Sequence, residues 1–208
     1  LDHDPVRDRL YLTGDNFARG PDPDRTLGLI IESRARSVVG NHDWKILRCL
    51  VHGRTGKFPG EKFSKSQTTA CRRMEHRAAE FAEYIASCPI AILGLRWVLV
   101  HAGVHPEHGS MGTDARTALT IRTFPQYDNP DMPHWYDLYK GPKLVVFGHD
   151  ARGGLVRREH NGALTALGLD TGCVYGNRLS AWIMEEDRIV QQPAERMYYD
   201  PATKKILS

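Results

Sequence analysis

Four short apolar runs in this sequence end on a ligand-type side chain beside a glycine. They are Leu10-Tyr11-Leu12-Thr13-Gly14-Asp15, Val38-Val39-Gly40-Asn41-His42-Asp43, Trp97-Val98-Leu99-Val100-His101-Ala102-Gly103 and Leu144-Val145-Val146-Phe147-Gly148-His149-Asp150. A short β-type run closed by glycine reads as a buried strand whose chain turns sharply where it ends. In open α/β sheets the carboxyl ends of the strands are where ligands bind. Four strands are therefore expected to deliver Asp15, Asn41, His101 and His149 to one sheet edge. Oxygen and imidazole donors of this kind suit Mn²⁺, Fe or Zn²⁺ better than a soft thiolate site would.

Other residues with chemical potential surround this set. His42 directly follows Asn41, so on a turn its side chain points away from its neighbour's and need not bind metal. As imidazolium it could protonate a leaving oxygen, work for which an ordinary pKa near 6.5 is suited. Arg19, followed by Gly20-Pro21-Asp22, offers a bidentate fork for phosphate oxygens. Arg122 is a candidate second clamp, and Tyr175 either stacks on a nucleobase or packs internally. His105 and His108 follow His101 closely, but Pro106 and Gly109 mark a loop and surface imidazoles.

The ordered series Gly14-Asp15, Gly40-Asn41-His42-Asp43, His101-Ala102-Gly103 and Gly148-His149 resembles the calcineurin-like metallophosphoesterases. Gly14-Asp15-Asn16-Phe17-Ala18-Arg19-Gly20-Pro21-Asp22 is similar to their phosphoprotein-phosphatase branch. Gly168-Leu169-Asp170-Thr171-Gly172-Cys173-Val174-Tyr175-Gly176 resembles the closing motif of symmetrical dinucleoside-tetraphosphate hydrolases. The resemblance runs from about Arg9 to Trp182. It implies an α/β fold, a two-sheet β-sandwich flanked by helices. It also implies two divalent ions per complete site, Mn or Fe with Zn also compatible. Such a pair, about 3.5–4 Å apart, activates water and neutralises phosphoryl charge. On this resemblance Asp15 bridges the metals, while Asn41, His101 and His149 complete the shell of one. Asn41 also donates to a substrate oxygen, and His42 serves as general acid.

Two departures from the family pattern stand out. The opening Asp-x-His-Gly motif is missing, and Asp2-His3-Asp4 imitates it too close to Asp15, with Pro5 in place of glycine. The expectation is an N-terminally incomplete chain lacking a central strand, which leaves two strand edges unpaired. The alternative is a variant that binds one metal and has lost activity. Second, Ala18 stands where related phosphatases carry an aspartate that orients and charges the catalytic histidine. Without it His42 is expected to have a lowered pKa and to be a weaker general acid, unless another carboxylate substitutes.

The 208 residues, 41% hydrophobic and 25% charged, suit one soluble domain spanning the chain. A net charge of +3 fits an anionic substrate. No apolar stretch of about 18 residues exists, so no membrane span is expected. No stable nucleic-acid binding is expected either. Cys49, Cys71, Cys88 and Cys173 form no C-x-x-C pair and read as free thiols in a reducing, cytoplasmic setting.

The elements that must position the site follow in order. Arg9–Thr13 and Ser37–Val39 read as strands, with a helix from Pro21–Asp24 to about Arg34 that turns Leu27, Leu29, Ile30 and Ile31 partly inward. Asp43–His52 reads as a helix, and Gly53–Ser66 as a lysine-bearing surface loop. Thr69–Ser87 is the longest helical pattern, with Met74, Ala78, Phe81, Tyr84 and Ile85 on one face. Ile90–Leu93 and Arg96–Val100 form a hairpin around Gly94; Thr113–Arg122 is a helix, Asn129–Gly141 an irregular lobe and Lys143–Phe147 a strand. Leu155–His160 and Ala163–Leu169 flank the turn pair Asn161-Gly162, and Arg178–Glu185 with Arg188–Gln192 make a last hairpin. Trp97 and Trp182 read as core, and the basic pairs Arg157-Arg158 and Lys204-Lys205 as solvated faces.

The function expected is metal-assisted hydrolysis of a phosphoanhydride in a dinucleoside polyphosphate or a related nucleotide such as an mRNA cap. A protein serine/threonine phosphatase and a catalytically silent metal-binding scaffold are the alternatives.

Overall fold

The computed structural model describes residues 3–52 and 63–207. Its centre is a mixed five-stranded sheet. The strands in chain order are β1 (Tyr11–Leu12), β2 (Arg36–Ser37), β3 (Ala91–Leu93), β4 (Trp97–Val100), β5 (Leu144–Phe147), β6 (Val156–His160) and β7 (Ala163–Gly168). The central sheet runs β3-β4-β5-β7-β6, with β4, β5 and β7 parallel and β3 and β6 antiparallel at the edges. Parallel β1 and β2 form a separate pair, as do β8 (Arg178–Ile183) with β9 (Arg188–Pro193) and β10 (Tyr199–Asp200) with β11 (Lys205–Ile206).

The alternation of side chains along β4 and β5 decides what each face packs. Val98, Val100, Val145 and Phe147 join Trp135, Tyr136 and Ile121 in one core, while Leu99 and Val146 join Val38 and Ile92 in another. The expected second sheet is instead the separate pairs β1–β2 and β8–β9; Tyr11 and Trp182 pack on the second core. A cleft of about 620 Å³ lies between β1–β2 and the edge of the central sheet, lined by Tyr11, Arg36, Ile92 and Trp97.

Helices α1 (Pro23–Glu32), α2 (Asn41–His52), α3 (Lys65–Met74) and α4 (Ala78–Ser87) enclose a third core around Phe17, Leu27, Ile46, Met74 and Phe81. Asp22 caps α1, accepting from the Arg25 amide at 2.9 Å, with Pro23 in the first turn. Leu27 and Ile30 face inward, but Leu29 and Ile31 are 55% and 56% exposed, against expectation. The apolar stripe of α1 is narrower than its four-residue apolar cluster suggests.

The expected long helix is two. Arg77 leaves helical geometry at φ −126° and ψ 30°, where its guanidinium binds Asp24 of α1 at 2.9 Å and Glu80. That tie to another helix leaves no mark in local periodicity. Of the expected loop Gly53–Ser66, residues 53–62 lie outside the described residues, and its end is helical: Ser64 caps α3. The irregular lobe carries a short helix, α6 (Trp135–Leu138), after α5 (Ala115–Thr120), and its Trp135, Tyr136 and Tyr139 are core residues. Asn161 and Gly162 both have positive φ, as their hairpin requires. Among the described residues no helix is long and apolar enough to cross a membrane.

Candidate metal and phosphate site

Two strand-end turns meet at the site. Gly14 (φ +86°) and Asp15 (φ +61°) follow β1 in left-handed conformations, and Gly40 follows β2. A Cβ on Gly14 would lie 2.7 Å from the Gly40 amide nitrogen, so the two backbones touch. Asp43, in the first turn of α2, fastens them. Its Oδ2 accepts from the amides of Asp15 at 2.7 Å, Gly40 at 3.2 Å and Asn16 at 3.3 Å. Burial, then the neighbouring Asp15, pushes the Asp43 carboxyl up to about 6. Asp15 Oδ1 in turn accepts from the His42 amide at 2.9 Å.

All four expected ligands converge. His101 Nε2 lies 3.0 Å from Asn41 Oδ1, 3.1 Å from His149 Nδ1 and 3.4 Å from Asp15 Oδ2. His149 Nδ1 is also 3.1 Å from Asn41 Oδ1. His101 Nδ1 donates to the Thr13 carbonyl at 2.7 Å, which leaves its Nε2 lone pair facing the cluster. Lone pairs from an imidazole, an amide oxygen and a carboxylate thus face one another, an arrangement that a cation resolves. Metal bonds of about 2.1 Å give ligand–ligand edges of about 3.0 Å in an octahedron and about 3.4 Å in a tetrahedron. The observed separations have that size, so these residues fit a divalent metal ion. Among the described residues no second group of such ligands forms around Asp15.

Burial opposes ionisation of Asp15, but the imidazoles of His101 and His42 hold its carboxyl far below the usual carboxylate range. Burial lowers His101, yet Asp15 outweighs it and the net shift is upward. His149 is pushed down to about 2 by burial, by His101 and by Arg122. Its imidazole is therefore neutral, and its buried Nε2 has no hydrogen-bond partner among the described residues.

His42 stands beside the ligands. Its Nε2 is 3.1 Å from Arg19 Nη2, and its Nδ1 is 3.1 Å from Gln67 Nε2. Burial lowers its pKa, Asp15 opposes, and Arg19 adds to the lowering, in the direction that Ala18 implied. Among the described residues no carboxylate stands in for the missing aspartate; an amide, that of Gln67, does.

Arg19 has no carboxylate partner among the described residues. Its Nη1 donates to the Tyr175 hydroxyl, and its guanidinium lies 4.6 Å from the centre of the Tyr199 ring. Tyr175 thus packs on Arg19 in this structure. Arg122 is tied to Asp128 at 3.3 Å and Asp150 at 3.4 Å, and it is close enough to depress His149.

Three roles escaped sequence reasoning. Gln67 and Tyr199 come from segments whose local patterns carry no chemical signal, and Asp43 stands inside the Gly40-Asn41-His42-Asp43 series, where residue type alone does not show that its carboxylate is a brace. The S-x-x-Q spacing of Ser64 and Gln67 is the one trace, as a helix-capping box. His105 and His108 stack at 4.2 Å on the loop after β4, with Glu107 beside them. His3 donates from Nε2 to the Ser33 carbonyl at 3.1 Å and neighbours Asp8, away from the cluster.

Residues 3–176 match the calcineurin-like phosphoesterase family over most of the chain. The chain belongs to that family. Consistent with this, it is 26% identical to the symmetrical bis(5'-nucleosyl)-tetraphosphatase of Aeromonas hydrophila subsp. hydrophila, over 91% of this chain and 89% of that protein. A symmetrical enzyme of Burkholderia pseudomallei is 28% identical, over 89% and 84%. An asymmetrical bis(5'-nucleosyl)-tetraphosphatase of Oceanobacillus iheyensis is also 28% identical, over 88% and 76%. Among solved structures, a candidate diadenosine tetraphosphatase superposes with a TM-score of 0.69 at 28% identity, covering 92% of this chain and 82% of that one. A metallophosphoesterase from Sphaerobacter thermophilus shares the fold, with a TM-score of 0.52 at 19% identity. This calcineurin-like phosphoesterase is thus a metal-dependent phosphohydrolase by family, with a mixed central sheet flanked by helices like its neighbours.

Proposed function

We propose that this phosphoesterase hydrolyses a phosphoanhydride bond in dinucleoside polyphosphates of the diadenosine tetraphosphate kind. The observation that carries this reading is the pairing of Arg19 and His42 at 3.1 Å beside the four converging ligands. Asp15, Asn41, His101 and His149 would hold the ion, Mn or Fe for preference and Zn as a further match to these donors. When bound, a divalent ion supplies a nucleophile at neutral pH and neutralises phosphoryl charge.

The chain's own residues do the rest. Among the described residues Arg19 has no carboxylate partner, so its fork is available to phosphate oxygens, with Tyr175 and Tyr199 holding its plane. Arg122 approaches from the His149 side as a second cation, steadied by Asp128 and Asp150. The Asn41 amide N–H adds a neutral donor to the same phosphoryl group. As imidazolium, His42 gives its Nε2 proton to the leaving oxygen as the P–O bond breaks; water oxygen bonds to phosphorus and its proton passes to solvent. Tyr175, half-buried beside Arg19, offers a ring for a nucleobase.

The test is a side-by-side assay of diadenosine tetraphosphate and a phosphoserine peptide with Mn²⁺ added, products separated by chromatography. ADP as sole nucleotide product is expected; ATP plus AMP would mean asymmetrical cleavage. Release of phosphate from the peptide with the dinucleotide untouched would overturn the proposal in favour of a protein phosphatase. Inertness toward both, with metal bound, would point to a silent scaffold.

A further inference from the structure

We infer that a pocket between the start of α3 and the β10–β11 turn receives a charged leaving group, with Lys65 and Lys204 holding the phosphate that departs with it. The inference rests on the proposed place of His42 beside the leaving oxygen. The pocket has a volume of about 290 Å³ and is lined by Ser64, Lys65, Ser66, Tyr199, Thr203 and Lys204. Buried Ser66 and Tyr199 form its inner wall, and exposed Lys65, Thr203 and Lys204 form its rim.

Two routes of contact tie the pocket to the site. The Tyr199 ring lies with its centre 4.6 Å from the Arg19 guanidinium, so the ring under the phosphate clamp is also a wall of the pocket. Ser64 donates its amide to Gln67 Oε1 at 2.8 Å, and Gln67 Nε2 lies 3.1 Å from His42 Nδ1. The pocket therefore lies on the Arg19 and His42 side of the four ligands. A leaving group departs toward the residue that protonates it. Whatever it carries beyond its leaving oxygen extends past His42 and Arg19, to the side where the pocket lies.

The charges fit an anion. Two ammonium groups from separate elements line one small space, and among the described residues neither has an ion-pair partner. Like charges so placed repel, and an anion between them turns the repulsion into attraction. The carboxylate of the turn, Asp200, is already engaged: it accepts from the Ala202 amide at 2.8 Å and the Thr203 hydroxyl at 2.6 Å. Of the basic pair Lys204-Lys205, Lys204 lines the pocket, while Lys205 acts on Asp200. Tyr199, Thr203 and Lys204 also lie beyond residues 3–176, so the family pattern does not specify this half of the pocket. A phosphomonoester with an uncharged leaving group leaves the pocket empty. A phosphoanhydride fills it, which makes the two lysines specificity-determining residues.

The test uses pyrophosphate, ADP and adenosine as probes, each titrated into ¹⁵N-labelled protein without added metal and followed by ¹H–¹⁵N spectra. The Ser66 and Thr203 amides are expected to shift saturably with pyrophosphate and with ADP, and not with adenosine. Two exposed charge contacts together give about 2–30-fold in affinity. The double variant Lys65→Ala, Lys204→Ala is expected to weaken pyrophosphate and ADP alike by about tenfold, and Lys205→Ala by less than about twofold. No saturable shift at these amides, an equal loss in Lys205→Ala, or a pocket that responds to adenosine alone overturns the inference.

Kinetics with Mn²⁺ added supply the functional arm. The double variant is expected to lose about tenfold more of kcat/KM on diadenosine tetraphosphate than on p-nitrophenyl phosphate, whose leaving group carries no phosphate. An equal fall on both overturns the inference. A native protein that shows the expected shifts yet cleaves no dinucleotide would count against the proposed substrate alone.

Discussion

Replacing Gly40 with alanine tests whether close backbone approach is what places the ligand Asp15. A Cβ there would lie 2.7 Å from the Asp15 carboxyl carbon, and the Asp15 amide nitrogen and Oδ1 would be closer still. Ordinary contact begins at 3.4 Å, so the carboxyl carbon must retreat by at least 0.7 Å, the difference of the two. Metal–ligand distances tolerate only about ±0.2 Å. Disturbing even an outer partner of a ligand costs about 10–100-fold in metal affinity, and a displaced ligand should lose at least that. In energy the loss is about 1.4–2.7 kcal/mol at one factor of ten per 1.36 kcal/mol. Overpacking itself costs about 1–3 kcal/mol of stability. At roughly 2–4 °C per kcal/mol for a chain of this size, the melting midpoint should fall by about 2–12 °C. Calorimetric titration with Mn²⁺ and a thermal melt of the metal-free protein measure the two separately, with Asp15→Asn as reference. A Gly40→Ala protein that binds Mn²⁺ as tightly as the native one would refute the reasoning, because the carboxylate would then not depend on that contact.

Three further outcomes are expected. Phe81→Ala empties a site at 0% exposure where the ring meets Phe17 edge-on at 5.3 Å; it should cost about 3–5 kcal/mol, a drop of about 6–20 °C in a thermal melt. Tyr199→Ala removes the ring under Arg19 and, at about 0.5–1 kcal/mol, should raise KM for a phosphate substrate about 2–5-fold in steady-state kinetics; because the ring is itself buried, the melting midpoint should fall as well. Arg157→Ala breaks a two-bond pair with exposed Asp187 and should leave the melting midpoint unchanged within about 2 °C, since solvent screens such pairs.

Much of the site was legible because its ligands are announced locally. Asp15, Asn41, His101 and His149 each end an apolar run at a glycine, and strand direction carries all four to one edge. The Asn161–Gly162 hairpin and the capped start of α1 were legible for the same reason, since positive φ and capping bonds are satisfied within a few residues. The break between α3 and α4 was not, because Arg77 answers to Asp24, 53 residues away in sequence. Nor was the burial of Trp135, Tyr136 and Tyr139 in a segment rich in proline and polar residues.

By itself, then, the sequence determined which side chains could bind a cation and phosphate, and where the strands carrying them stop. Tertiary structure alone decided what surrounds them: the Asp43 brace across two turns, the Tyr199 ring under Arg19, and an amide rather than a carboxylate behind His42. Residue type and spacing fix what a group can do. The state in which it waits is fixed by partners that come from distant parts of the chain, through bonds that leave no periodic trace.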